Sequence, residues 1–378
     1  MMVKAIFDAK PPPGTINFGI GQPSADLMPV ELFKAISDDF LATAEPLDFN
    51  YGEKQGDIRF RESLADFLSL AYESDAAPES LFLTAGNSQA LEFVCERFTK
   101  PGDTIFVEEP TYFLAFQIFL DRGLNIVSIP MDERGMSTDA LEEALETSIP
   151  AMVYTIPSFS NPGGQTLCGW RRKRLVDLSR EHGFVIAADE VYQLLPCFGE
   201  VPPALGTMTE RGNVLSLGTF SKILAPGLRA GWIQTSEKLM EPLLDSGWVN
   251  SGGSVNHVAS HLVRHAIDSG RQEQHIEFVK DAYRQRLLAM EESLQEHLAD
   301  HAQWVRPDGG YFFWLKLDEG IDARKLHTRS TQFQVGFQPG ELFSASGGLK
   351  NYLRLSFAYY GEEDIREGIA RLGALIKS

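Results

Sequence analysis

The chain has 378 residues, 43% of them hydrophobic and 23% charged, which is ordinary globular composition and more than one core usually holds, so two domains are expected. A net charge of -18 opposes a phosphate backbone and argues against nucleic acid as a partner. Three cysteines, Cys95, Cys168 and Cys197, with no CxxC pair, argue against a disulfide framework and fit a reducing, cytoplasmic compartment. The stretch from Met1 to Pro13 has no apolar signal core, and no apolar run reaches membrane-spanning length, so no membrane partner is expected.

Taken in chain order, short apolar runs alternate with helical patterns. Leu81-Phe82-Leu83-Thr84 reads as a strand, and a helix follows from Ser88 to Thr99. Thr104–Val107 is the next strand, then a helix from Tyr112 to Asp121. Ala151–Ile156, a helix from Trp170 to His182, Phe184–Ala188, Val214–Leu217 and Gly231–Gln234 continue the series. The middle strands are apolar on both faces, as strands between helix layers are. The alternation predicts an α/β fold with a mostly parallel sheet. From about Ile276 the texture changes to a long charged helix through Lys280, Arg284, Arg286 and Glu291, then strands at Tyr311–Leu317 and Leu353–Phe357. The expected division is a large domain over 45–275 and a smaller α+β domain from 1–44 with 276–378.

Ligands of open α/β sheets bind beyond the carboxyl ends of the strands. Several polar residues stand there. Asp189 follows Phe184–Ala188, with Tyr192 three residues on. Asn161 follows Ala151–Ile156 in Asn161-Pro162-Gly163-Gly164. Ser88 and Gln89 open a helix whose first amides would face an anion. Lys222 follows Val214–Leu217 in Thr219-Phe220-Ser221-Lys222, and Arg229 comes seven residues later, past Pro226-Gly227. A lysine desolvated near a second cation becomes a usable nucleophile. Hydroxyls with a guanidinium suit a phosphate monoester.

Gly86-Asn87-Ser88-Gln89-Ala90, Pro110-Thr111-Tyr112, Asn161-Pro162-Gly163-Gly164, Ala188-Asp189-Glu190-Val191-Tyr192, Ser221-Lys222 with Arg229, and Leu353-Arg354-Leu355-Ser356-Phe357 together carry a resemblance. In this order the chain resembles the fold-type-I, pyridoxal-phosphate-dependent aminotransferases of class I/II. It is most similar to the branch with 2-aminoadipate, kynurenine and aromatic aminotransferases. The resemblance runs from Gly19-Ile20-Gly21-Gln22-Pro23 to the C-terminus. It implies a seven-stranded, mostly parallel sheet between helices, pyridoxal 5'-phosphate as cofactor, and amino transfer between an L-amino acid and a 2-oxo acid, with 2-oxoglutarate the expected acceptor. It implies that Lys222 holds the cofactor as a Schiff base and then shuttles the Cα proton. Asp189 would keep the pyridine nitrogen protonated, and Tyr192 and Asn161 would bond the phenolic oxygen. Tyr112 would stack on the ring. Ser88, Gln89, Thr219, Ser221 and Arg229 would hold the phosphate, joined by Tyr51 of a neighbouring subunit, so a homodimer with interface active sites is implied. Arg354 would clamp the substrate carboxylate, with Asn161 and Gly21 at the same subsite.

Two positions depart from the family pattern. Gly163 stands where Thr is usual, which is expected to loosen the loop carrying Asn161. Thr219 stands where Ser is commoner and keeps the hydroxyl. Other reactions on the same fold, β-elimination, decarboxylation or racemisation, use the same lysine, aspartate and tyrosine and stay open. A remoter alternative is an α/β-hydrolase in which Ser88 acts with Asp189 and His257 or His261, but it leaves Lys222, Arg229 and Asn161 without work. A noncatalytic cofactor sensor would carry a DNA-binding domain ahead of this pattern, and the acidic charge disagrees with one. Gly19-Ile20-Gly21 begins like a dinucleotide fingerprint, but the third glycine is missing. His257, His261 and His265 recur every four residues. The outer two lie about 12 Å apart along a helix, too far for one ion to take all three, so no metal is expected there.

Overall fold

The structure is a computed structural model, and it describes residues 12–378. The residues before Pro12, on which the reading of the signal region mostly rests, lie outside the described residues. The first strand, β1 (Ile16–Asn17), pairs in parallel with a late one, β12 (Val335–Gly336). The main sheet is built from β2 (Leu81–Thr84), β3 (Thr104–Glu109), β4 (Asn125–Asp132), β5 (Gly135–Met136), β6 (Met152–Thr155), β7 (Val185–Asp189), β8 (Val214–Thr219) and β9 (Gly231–Thr235). Their spatial order is β2-β9-β8-β7-β6-β3-β4-β5. Strands β8, β7, β6, β3 and β4 are mutually parallel, and β9 runs antiparallel between β2 and β8. The expected seven strands are all present. The eighth is the two-residue β5, folded back on the end of β4.

The parallel strands are apolar on both faces because helices cover both. Val107, Tyr154, Ala187 and Leu217 point into the larger core, which also contains Ala90, Leu91 and Val94 of helix Asn87–Phe98. Phe106, Val153, Ile186 and Val214 point the other way, toward Leu141, Leu175 and Val176 of helices Thr138–Thr147 and Gly169–His182. This alternation is the period of two that a strand imposes.

Strand β4 was not expected from the sequence. Most of its residues are exposed or half-exposed, and Pro130 interrupts its apolar pattern. It lies near the sheet edge, where proline is tolerated.

A second, antiparallel sheet has the order β10-β11-β14-β13, from β10 (Ala302–Gln303), β11 (Phe312–Leu317), β14 (Tyr352–Ser356) and β13 (Gln338–Pro339). The long charged helix runs from Arg271 to Leu298. The segment carrying Gly19 and Gly21 joins this sheet: Ser356 N donates to the Phe18 carbonyl at 2.8 Å. Among the described residues no helix is long and apolar enough to cross a membrane, and all three cysteines are free.

Candidate active site

The carboxyl ends of the parallel strands open into a cavity of about 410 Å³. Eleven of the thirteen residues expected at the site line it: Gly21, Ser88, Tyr112, Asn161, Asp189, Tyr192, Thr219, Ser221, Lys222, Arg229 and Arg354. Gln89 does not. Its side-chain oxygen turns back to accept from Ala85 N at 2.9 Å, bracing the turn before the helix. Tyr51 is 84% exposed and stands apart from the cavity of its own chain.

One end of the cavity is an anion seat. Gly86, at φ +83°, starts helix Asn87–Phe98, whose first backbone amides have no partner within the helix. A side chain at Gly86 would meet the Arg229 guanidinium at 2.8 Å, so only glycine lets Arg229 lie across this turn. Arg229 is itself left-handed, at φ 50°. It donates to Ser221 Oγ at 3.3 Å and to the Ala85 carbonyl at 3.1 Å, and its own carbonyl accepts from the Asn256 amide. Thr219 Oγ1 lies 3.0 Å from Ser221 Oγ and accepts from Ser221 N at 3.1 Å.

Lys222 projects into the same space. Its Nζ donates to the Gly21 carbonyl at 3.0 Å and lies 5.2 Å from the centre of the Tyr311 ring. Burial lowers its pKa to about 8, assisted by the positive charge of Arg354 and opposed by Asp189. Asp189, at the end of β7, is 7% exposed. Burial pushes its carboxyl up, while hydrogen bonds from Asn87 and Tyr154 and the charge of Lys222 oppose this. Neither Asn87 nor Tyr154 was singled out from the sequence. Burial also raises the pKa of Tyr112 to about 12 and that of Tyr192 further, so both stay phenols. Tyr192 packs on Tyr311 and Phe312, with ring centres at 5.2 and 6.0 Å.

Arg354 sits opposite Trp314 on β14 and is 3% exposed. Its guanidinium donates to Asn161 Oδ1 at 2.8 Å and to the Gly19 carbonyl at 2.9 Å, and lies 4.1 Å from the Phe312 ring centre. Burial lowers its pKa to about 10. Its Nε is buried without a partner, and it enters no ion pair among the described residues. A buried guanidinium without a carboxylate is a site for one. The loop carrying Asn161 is packed at Gly163. The Gln165 side chain fills the space beside Gly163 and accepts from Ser160 Oγ at 3.0 Å, while Ser160 N donates to the Gln165 carbonyl at 2.8 Å.

The alternative triad does not assemble. Asp189 accepts from Asn87 and Tyr154, and the histidines pair with other carboxylates. His261 Nε2 lies 3.7 Å from Asp48 and 3.8 Å from Asp57, and His257 Nε2 lies 3.4 Å from it. Both carboxylates are bound by the Arg59 guanidinium, and His265 stands beside Arg264.

A family model described as aminotransferase class I and II matches residues 13–372. The chain belongs to the class I and II aminotransferases. This aminotransferase is 36% identical over 367 residues to the aromatic-amino-acid aminotransferase 1 of Thermococcus litoralis, covering 96% of this chain and 88% of that one. Its fold is similar to that of a multiple substrate aminotransferase from Thermococcus profundus, at TM-score 0.91 and 35% identity over 97% of this chain and 92% of the other. It is similar too to an α-aminoadipate aminotransferase from Thermus thermophilus complexed with N-(5'-phosphopyridoxyl)-L-leucine, at TM-score 0.88 and 31% identity, over 97% and 92% of the two chains. The aminotransferase moves an amino group between an amino acid and a 2-oxo acid, and its cofactor is pyridoxal 5'-phosphate. Elimination, decarboxylation and racemisation are not favoured by these relatives. The cavity fits that cofactor: one space is lined by an anion seat opened by Gly86, a buried acid and an amine of lowered pKa. When bound, pyridoxal phosphate supplies the electron sink for charge developing at the substrate Cα.

Proposed function

We propose that this aminotransferase takes large apolar and aromatic L-amino acids as amino donors and 2-oxoglutarate as acceptor. The observation that carries the reading is the cavity's inventory of charge. Its cations are Lys222, Arg229 and Arg354, and each has a task in the shared chemistry. The rest of the wall is largely apolar, with Ile20, Leu91, Phe113, Leu114 and Ile118. Gln22 and Gln338 supply neutral amides, which suit the distal carboxylate of the acceptor without demanding one on the donor.

In this reading Lys222 binds the cofactor covalently and then moves the Cα proton, for which an amine with a pKa near the working pH is suited. Asp189 holds the ring nitrogen, Tyr192 and Asn161 the phenolic oxygen, and Tyr112 the ring face. Ser88, Thr219, Ser221, Arg229 and the backbone at Gln89 hold the phosphate. Arg354, beside Asn161 and Gly21, holds the substrate α-carboxylate. The active form is a homodimer in which Tyr51 reaches the neighbouring site. Leu47 and Phe49, 71% and 58% exposed, flank Tyr51 with the kind of apolar surface an interface buries. The cofactor unit spans about 45–275 and the remainder forms the substrate-gripping unit, with helix Arg271–Leu298 running across the boundary. The three free cysteines support a cytoplasmic location.

The test is a panel of L-amino acids added to the cofactor-loaded enzyme without acceptor, followed by absorbance and then by steady-state kinetics. Phenylalanine, tyrosine and leucine are expected to convert the chromophore stoichiometrically, with reversal by 2-oxoglutarate. A larger kcat/KM for 2-aminoadipate or aspartate than for phenylalanine overturns the assignment.

A further inference from the structure

Asp189 has two partners that come from distant parts of the chain. Tyr154 on β6 is the register partner of Ala187 on β7. Asp189 lies two residues further along β7, so both side chains leave the same face of the sheet. The Tyr154 side chain is fully buried, and its hydroxyl donates to Asp189 Oδ2 at 2.8 Å. From the other side Asn87, the first residue of its helix, donates Nδ2 to Asp189 Oδ1 at 2.7 Å. The same amide donates to the Leu217 carbonyl at 3.0 Å. Leu217 is the register partner of Asp189 on β8, so Asn87 straps the ends of two strands together. Each Asp189 oxygen thus has one donor from the protein and keeps a lone pair for another.

We propose that Asn87 and Tyr154 are positioning residues that keep Asp189 ionised and aimed at the cofactor's ring nitrogen, and so set how firmly that nitrogen holds its proton. This rests on the reading of Asp189 as the ring-nitrogen partner. A carboxyl buried this deeply tends toward its neutral form, and a neutral acid has no charge to offer a pyridinium. Two donors aimed at the carboxylate favour the charged form instead. Neither donor introduces a competing charge. Asn87 cannot ionise, and burial holds the Tyr154 hydroxyl well above its usual pKa. The Asn87 amide has one usable orientation: both its N–H groups are spent and its Oδ1 is buried without a partner among the described residues. A flipped amide would set its oxygen against two acceptors.

A purely structural brace and a device acting through the ring nitrogen differ in a measurable way. Apoproteins of the wild type, Tyr154→Phe, Asn87→Ala and Asp189→Asn are each titrated with pyridoxal phosphate and with its 5-deaza analogue, which carries C–H in place of the ring nitrogen. The two ligands share phosphate, aldehyde and phenol, so the ratio of their dissociation constants isolates the nitrogen. The wild type is expected to prefer pyridoxal phosphate, and Asp189→Asn to abolish the preference. Tyr154→Phe and Asn87→Ala should each reduce it roughly tenfold, the low end for one hydrogen bond to a charged group. Should Asn87→Ala not fold, Asn87→Ser removes the same two donors with a smaller change of shape. If Asp189→Asn abolishes the preference while the other variants weaken both ligands equally, the clamp is structural and the proposal is wrong. If Asp189→Asn leaves the preference intact, the reading of Asp189 itself falls.

Discussion

Replacing Arg354 by methionine tests the substrate end of the site. The guanidinium is buried, rests on Phe312 and donates to two neutral acceptors, yet among the described residues it meets no carboxylate. Methionine keeps much of the apolar stem against Phe312 and removes the charge and the fork. Losing one partner of a buried, hydrogen-bonded ion pair costs about 2–5 kcal/mol of binding, which is about 30- to 4000-fold at 1.4 kcal/mol per decade. The α-carboxylate keeps its charge throughout the reaction, so the loss should fall mainly on KM. The assay compares L-phenylalanine with phenethylamine, which has the same side chain and amine but no carboxylate. In the wild type phenylalanine should be far the better substrate. In Arg354→Met its kcat/KM should drop by the factor above, while phenethylamine changes little. If the variant keeps the wild-type ratio of the two substrates, Arg354 does not bind the carboxylate. Circular dichroism of the variant separates this from a folding defect.

Four further outcomes follow from the structure. The rate at which apoprotein captures pyridoxal phosphate should rise with pH and level off above about 8, where Lys222 is deprotonated; a rate still climbing past pH 10, as for an ordinary lysine, would contradict this. The same shift fixes a sign for stability. The folded pKa lies below the unfolded one, so between about 8 and 10.5 the unfolded chain binds more protons, and this group adds stability to the apoprotein as pH rises through that window. Gly86→Ala places a Cβ 2.8 Å from the Arg229 guanidinium at φ +83°. With ψ at 171° this is the positive-φ extended backbone that only glycine adopts readily, so the substitution should cost about 1–3 kcal/mol of stability from the backbone alone and weaken inorganic phosphate binding to the apoprotein, measured by calorimetry. Arg172→Met leaves the buried Leu167 and Pro157 carbonyls and that of Pro203 without the guanidinium that donates to them, and takes the nearby cation from Glu190, 3.8 Å away and equally buried. It should cost about 3–5 kcal/mol in a denaturant titration, and adding Glu190→Gln should recover none of that, because the Glu190 carboxylate accepts from Leu205 N, Gly206 N and Ser216 Oγ.

Much of the site was legible because strand ends are where a parallel sheet gathers its chemistry. Asp189, Asn161 and Lys222 follow strands whose apolar runs are plain in the sequence, and the sheet brings those ends together. The partners of these residues were not legible. Asn87 lies 102 positions from Asp189, and Tyr154 lies 35. Tyr154 reads as one more apolar strand residue until register sets it beside the acid. Asn87 had one available signal, an amide at the mouth of the anion-binding turn. Gln89 shows the opposite case. Its motif position suggested phosphate, but an oxygen acceptor four residues after the Ala85 amide serves the turn itself. Strand β4 escaped because half-exposed edge strands lack the two-faced apolar pattern, and Gly163 looked loose because a neighbour's side chain, not its own, fills the gap.

The excursion between β8 and β9 leaves the sheet at Thr219 and re-enters at Gly231, and those two residues are register partners. Lys222 and Arg229 therefore ride on one short loop with both feet planted side by side. The distance between the two cations, in the proposed reading the covalent anchor and the phosphate grip, is thus set within a single local unit. Arg354 and the Gly19–Gly21 strap belong to the other sheet. In the proposed reading the grip on the amino acid and the seat of the cofactor sit on different sheets, joined where Arg354 donates to Asn161 Oδ1 and Lys222 Nζ to the Gly21 carbonyl. On that reading, substitutions at the contact between the two sheets are where the hold on a new substrate can change while the β8–β9 loop stays as it is.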